Sequence, residues 1–112
     1  MKLLIVDDNA EMRKLMKSLV AGLASEIFEC TDGSQAFAAY SLHQPDWVLM
    51  DVEMPLMDGI AASREVTGAF PAARILIVTK YDDEEMRAEA AQAGACGYVL
   101  KENLPALRNI IA

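Results

Sequence analysis

The sequence predicts an α/β domain whose parallel sheet is covered by helices on both faces. Three observations predict it. Short, branched apolar runs recur along the 112 residues, and segments of helical period fill the spaces between them. Polar and mostly acidic residues stand at the carboxyl ends of the runs.

The apolar runs are Leu3–Val6, Ile27–Cys30, Trp47–Met50, Ile75–Val78 and Tyr98–Leu100. Each is apolar at nearly every position, as suits a parallel strand covered on both sides. After the first run, Met12, Leu15, Met16, Leu19, Val20 and Leu23 form one helical stripe. Asp8 or Asn9 caps this helix, with Glu11 just inside. A second helix is expected over Ser34–Leu42, burying Ala36, Phe37 and Tyr40. A third, Ala-rich and weakly periodic, follows Asp58. The fourth opens on Asp82-Asp83-Glu84-Glu85, which suits the positive end of a helix dipole. It buries Met86, Ala90 and Ala93 and stops at Gly94. The fifth is expected to start at Asn103, with Pro105 in its first turn and Leu104, Leu107, Ile110 and Ile111 on its buried side.

This length suits one domain, expected to span residues 1–112, and needs no disulfide or metal to hold its core. A net charge of −7 disfavours direct contact with nucleic acid or anionic lipid. The opening apolar run meets Asp7-Asp8 too soon for a signal segment or a membrane span, so a cytoplasmic location is expected. Cys30 and Cys96 sit in apolar surroundings without metal spacing and read as buried free thiols. His43 reads as a surface residue.

Right-handed crossovers leave few doubly wound strand orders. In the flavodoxin-like order 2-1-3-4-5, the ligand crevice opens between the first and third strands, at their carboxyl ends. That order would gather Asp7, Asp8 and Asp51, with Thr79 and Lys101 closing in from the fourth and fifth strands. Two carboxylates about 4 Å apart repel by about 4 kcal/mol at an effective dielectric of about 20. Such a cluster calls for raised pKa values or a hard cation such as Mg²⁺. A carboxylate can attack phosphorus and form an acyl phosphate. Asp51, alone at the centre of the sheet, is the candidate nucleophile, and Asp7 and Asp8 the candidate metal holders. Lys101 offers a fixed positive charge and Thr79 a hydroxyl donor.

These residues resemble the response-regulator receiver family of two-component signalling. The resemblance runs through Leu4-Ile5-Val6-Asp7-Asp8-Asn9, Asp51-Val52-Glu53-Met54-Pro55-Leu56-Met57-Asp58-Gly59, Val78-Thr79 and Ala93-Gly94-Ala95-Cys96-Gly97-Tyr98-Val99-Leu100-Lys101. It implies a phosphorylation-activated switch with Asp51 as phosphoacceptor, fed by a sensor histidine kinase, a phosphotransfer protein or a small acyl phosphate. It implies Mg²⁺ (or Mn²⁺) held by Asp7, Asp8, Asp51 and the backbone carbonyl of Glu53. Thr79 and Lys101 would contact the phosphoryl group, and Tyr98 would be an aromatic switch that turns inward with Thr79. Such a domain assists its own phosphotransfer and autodephosphorylation but is not otherwise an enzyme. The Gly-Tyr-Val-Leu-Lys-Glu ending is most similar to receivers that carry LuxR-type helix-turn-helix output domains, and a homodimer is open.

Three features depart from the family pattern. Glu102 replaces the proline, held cis, that often follows the lysine; Lys80 replaces a small residue after Thr79; and no output domain is expected within the chain. Lys80, Glu53 and Glu102 are therefore expected at the rim of the site, with Lys80 restricting entry or pairing with Glu53. The sequence leaves a stand-alone receiver, a fragment of a transcriptional regulator and a phosphorylation-independent interaction module open. An aspartate-based phosphohydrolase is disfavoured, because Glu53 stands where a second Asp is usual.

Overall fold

The computed structural model describes residues 1–112. In chain order the elements are β1 (Lys2–Val6), α1 (Ala10–Leu19), β2 (Glu26–Cys30), α2 (Ala36–His43), β3 (Trp47–Met50), α3 (Gly59–Ala69), β4 (Ile75–Thr79), α4 (Glu84–Gln92), β5 (Gly97–Leu100) and α5 (Ala106–Ile111). Short 3-10 turns precede α2 and α5. The five strands form one parallel sheet in the order β2-β1-β3-β4-β5, the order expected.

Alternation along the strands divides the core in two. Leu4, Val6, Val48, Met50, Ile75 and Ile77 face α2, α3 and α4. Leu3, Ile5, Leu49, Leu76, Val78 and Val99 face α1 and α5, meeting Met16, Val20, Leu107 and Ile111. The central strands are thus buried on both faces, which is why their sequence shows no polar alternation.

Side-chain caps fix where three helices begin. Asn9 accepts from the Met12 amide at 3.0 Å, Asp58 from Ala61 at 2.8 Å and Asp83 from Met86 at 3.1 Å. Gly94 ends the turn after α4 at φ +94°, and a Cβ there would press on Thr67 at 2.7 Å. The short α5 differs from expectation: Lys101–Asn103 form a 3-10 turn, and the helix starts after Pro105 with no side-chain cap.

Four burial expectations are corrected. Leu15 and Ile110 are exposed, because α1 and α5 each turn only one narrow ridge to the sheet. Cys30 is buried, but Cys96 lies exposed in the loop before the edge strand β5. His43 is half-buried and stacks on Phe28 with ring centroids 3.7 Å apart.

Candidate functional site

The sheet brings the predicted residues together through register. Val6 pairs with Met50, so Asp7 and Asp51 leave adjacent parallel strands side by side. The Asp51 amide donates to the Val6 carbonyl at 2.9 Å. Thr79 pairs with Leu100, which places Lys101 one residue beyond, on the same end of the sheet. A Cβ at Gly59 would overlap the Asp51 carbonyl oxygen, so only glycine lets α3 start this close beneath the acid.

Asp7 and Asp51 are buried, whereas Asp8 is exposed. The Lys101 ammonium bridges the two buried acids, 3.1 Å from Asp7 Oδ2 and 3.1 Å from Asp51 Oδ1. Asp7 is further fixed by the Asn9 amide, which donates to Oδ1 at 2.8 Å. Arg13 donates to the Asp7 main-chain carbonyl at 2.8 Å and pairs with Glu29 at 2.9 Å. Burial, and then the charge of Asp7, push the Asp51 carboxyl up to about 6, against the pull of Lys101. Burial works against the Lys101 ammonium, but Asp51 and Asp7 outweigh it and raise its pKa.

One ammonium cannot neutralise three carboxylates. One oxygen from each of Asp7, Asp8 and Asp51 lies within 4.8 Å of the others. Asp7 Oδ2 is buried and receives no well-aligned hydrogen bond; the Lys101 ammonium, 3.1 Å away, is the group that compensates its charge. A buried, unsatisfied oxygen in a cluster of hard donors fits a small divalent cation. The crevice of about 240 Å³ is lined by these acids with Asn9, Glu53, Thr79, Lys80, Tyr81 and Lys101. A larger cavity of about 470 Å³ lies beyond Glu53, between α3 and α4, and contains neither Asp51 nor Lys101.

Comparison with known proteins agrees with this geometry. The family model of the response regulator receiver domain matches residues 3–112. This chain belongs to that family. It is 39% identical over 101 residues to the chemotaxis protein CheY of Bacillus subtilis, spanning 89% of this chain and 84% of that protein. It is 35% identical over 105 residues to the oxygen regulatory protein NreC of Staphylococcus haemolyticus, spanning 90% of this chain but 48% of the relative. Among solved structures, a LuxR-family two-component response regulator from Aurantimonas superposes with a TM-score of 0.88 at 32% identity, covering 98% of this chain and 84% of that one. The receiver is therefore a phosphorylation-activated signalling domain of two-component systems.

Within the receiver, Asp7, Asp8, Asp51, Thr79 and Lys101 share one crevice. Lys80 and Glu53 line it too, but they form no ion pair; the Lys80 ammonium sits 5.3 Å from the Tyr81 ring centroid. Glu102 does not line the crevice, because the 3-10 turn that begins at Lys101 carries it outward. No peptide bond is cis, so the Lys101–Glu102 bond is trans. Tyr98 is half-buried, and its hydroxyl donates to the Tyr81 carbonyl at 2.7 Å. Arg13 and Tyr81 were not legible as site residues. Arg13 acts on a main-chain atom and Tyr81 lies in a loop, so neither leaves a periodic signal.

Proposed function

We propose that Asp51 is the phosphoacceptor of this receiver. The observation that carries the reading is the buried Asp7–Lys101–Asp51 bridge beside Asp8 and Thr79. Asp51 attacks the phosphorus of a phosphohistidine or acyl phosphate; the new O–P bond forms as the donor's N–P or O–P bond breaks, and the electron pair leaves with the donor. Lys101 offers positive charge to a phosphoryl oxygen, and the Thr79 hydroxyl offers a proton donor. Mg²⁺ (or Mn²⁺), held by Asp7, Asp8, Asp51 and the Glu53 carbonyl, supplies charge neutralisation when bound. The same residues would orient water for autodephosphorylation.

Donors are a sensor histidine kinase, a phosphotransfer protein or a small acyl phosphate, in the cytoplasm. The chain spans most of the chemotaxis relative but about half of the NreC relative. A LuxR-type helix-turn-helix output, DNA control through it and homodimer formation therefore belong to this proposal. So does its single-domain alternative. No helix is long and apolar enough to cross a membrane.

Incubation with acetyl phosphate and Mg²⁺ should add one phosphoryl group, labile in base, seen by intact mass. Chelation or Asp51→Asn should abolish it. A gain that survives Asp51→Asn would assign the phosphoryl group elsewhere.

A further inference from the structure

A continuous set of contacts leads from the crevice to the outer face of α4. At its inner end, Thr79 Oγ1 accepts from the Tyr81 amide at 3.3 Å and donates to no protein group. The accepted bond fixes the oxygen and leaves its proton free for an anion in the crevice. Tyr81 is held in turn by its carbonyl, which accepts from the Tyr98 hydroxyl at 2.7 Å. The Tyr98 ring is then covered from outside by Arg87, whose guanidinium carbon stands 4.4 Å from the ring centroid. Asp82 holds that guanidinium, accepting from Nε at 3.2 Å and from Nη2 at 3.1 Å.

The geometry points to Arg87 as a positioning residue that acts on the Thr79 hydroxyl through Tyr98 and Tyr81. This inference rests on the proposed role of Asp51 and adds to it a regulator outside the crevice. Arg87 lies on the solvent side of α4, with 42% of its side chain accessible, and contacts neither Asp51 nor Lys101. Its planar cation over the ring confines Tyr98 to the rotamer whose hydroxyl reaches Tyr81. Releasing the ring frees the Tyr81 carbonyl, loosens the loop after β4 and lets Thr79 rotate. Anything that captures Arg87 or Asp82 from outside would therefore weaken anion binding at Asp51. By linkage, anion binding would tighten the Arg87–Tyr98 contact to the same degree.

The test is the affinity for beryllofluoride, a phosphoryl mimic, with Mg²⁺ in excess, measured calorimetrically on the full chain. Arg87→Ala should weaken it about two- to fivefold, the range of an exposed cation–π contact. Arg87→Lys, which keeps a cation over the ring, should recover part of the loss. Tyr98→Phe should also weaken binding, and adding Arg87→Ala to it should cost little more, because both act through one hydroxyl. A merely structural role would lower the melting temperature and leave these affinities unchanged. Wild-type binding with an unaltered Arg87→Ala affinity, or fully additive losses, would overturn the inference alone. Absence of binding by the wild type would overturn the reading of Asp51 and this inference with it.

Discussion

Replacing Asp51 by Asn should stabilise the metal-free protein at neutral pH. Burial and the neighbouring Asp7 raise the Asp51 carboxyl from 3.8 to about 6 in the folded chain. The native state therefore binds more protons than the unfolded state between those values, and stability falls as pH rises through them. The contribution of the protonated acid is complete below about pH 4 and lost above about pH 6. A rise from 3.8 to about 6 corresponds to about 3 kcal/mol. Asn has nearly the same shape and cannot ionise, so it avoids the penalty. The benefit of Lys101 is already contained in the net rise. In chelator, urea unfolding at pH 7.5 should place Asp51→Asn about 3 kcal/mol above the wild type with an unchanged m-value. For a chain of this length that is roughly 10–13 °C in melting temperature. At pH 4 the gap should nearly close. Mg²⁺ should narrow it at pH 7.5 by stabilising the wild type through binding. A variant no more stable than the wild type in chelator, or a gap independent of pH, would refute the argument.

Three further outcomes follow from the packing and charges. Leu107, fully buried between α5 and the sheet, should cost about 3 kcal/mol when cut to Ala, measured by the urea midpoint. Arg108 donates to the Leu19 and Ala21 carbonyls at 3.3 and 2.7 Å, so Arg108→Ala should cost about 1 kcal/mol and speed hydrogen exchange at the end of α1. Lys80 lines the crevice without an ion-pair partner, so Lys80→Ala should slow phosphorylation by acetyl phosphate about twofold at low salt. That difference should vanish at about 0.5 M salt, and a faster Lys80→Ala would instead make this lysine a barrier to entry.

The fold was legible because fully buried parallel strands and amphipathic helices leave unlike periods. Trp47–Met50 was read to the residue, and the other strands to within one residue at their ends. Asp7, Asp8, Asp51, Thr79 and Lys101 could be nominated because each follows or ends such a run, and strand order converts those ends into one crevice. The helix edges were harder. Leu15 and Ile110 fit the apolar period yet face solvent, since period alone does not say how wide a face the sheet can cover. The 3-10 turn at Lys101 was equally hidden, and it carries Glu102 away from a rim that the sequence had assigned to it.

The sequence by itself determined the α/β class and which acids could meet, while the strand order came from the doubly wound order it was matched to and is seen directly only in the sheet. The class and the acids follow from local period and from where polar residues interrupt it. Only the tertiary structure decided how they meet. It set the equal 3.1 Å reach of Lys101 to both buried acids, the burial that lifts Asp51, the unsatisfied Asp7 Oδ2 and the path from Thr79 to Arg87. These depend on distance and solvent exclusion between residues far apart in the chain, quantities that no local pattern encodes.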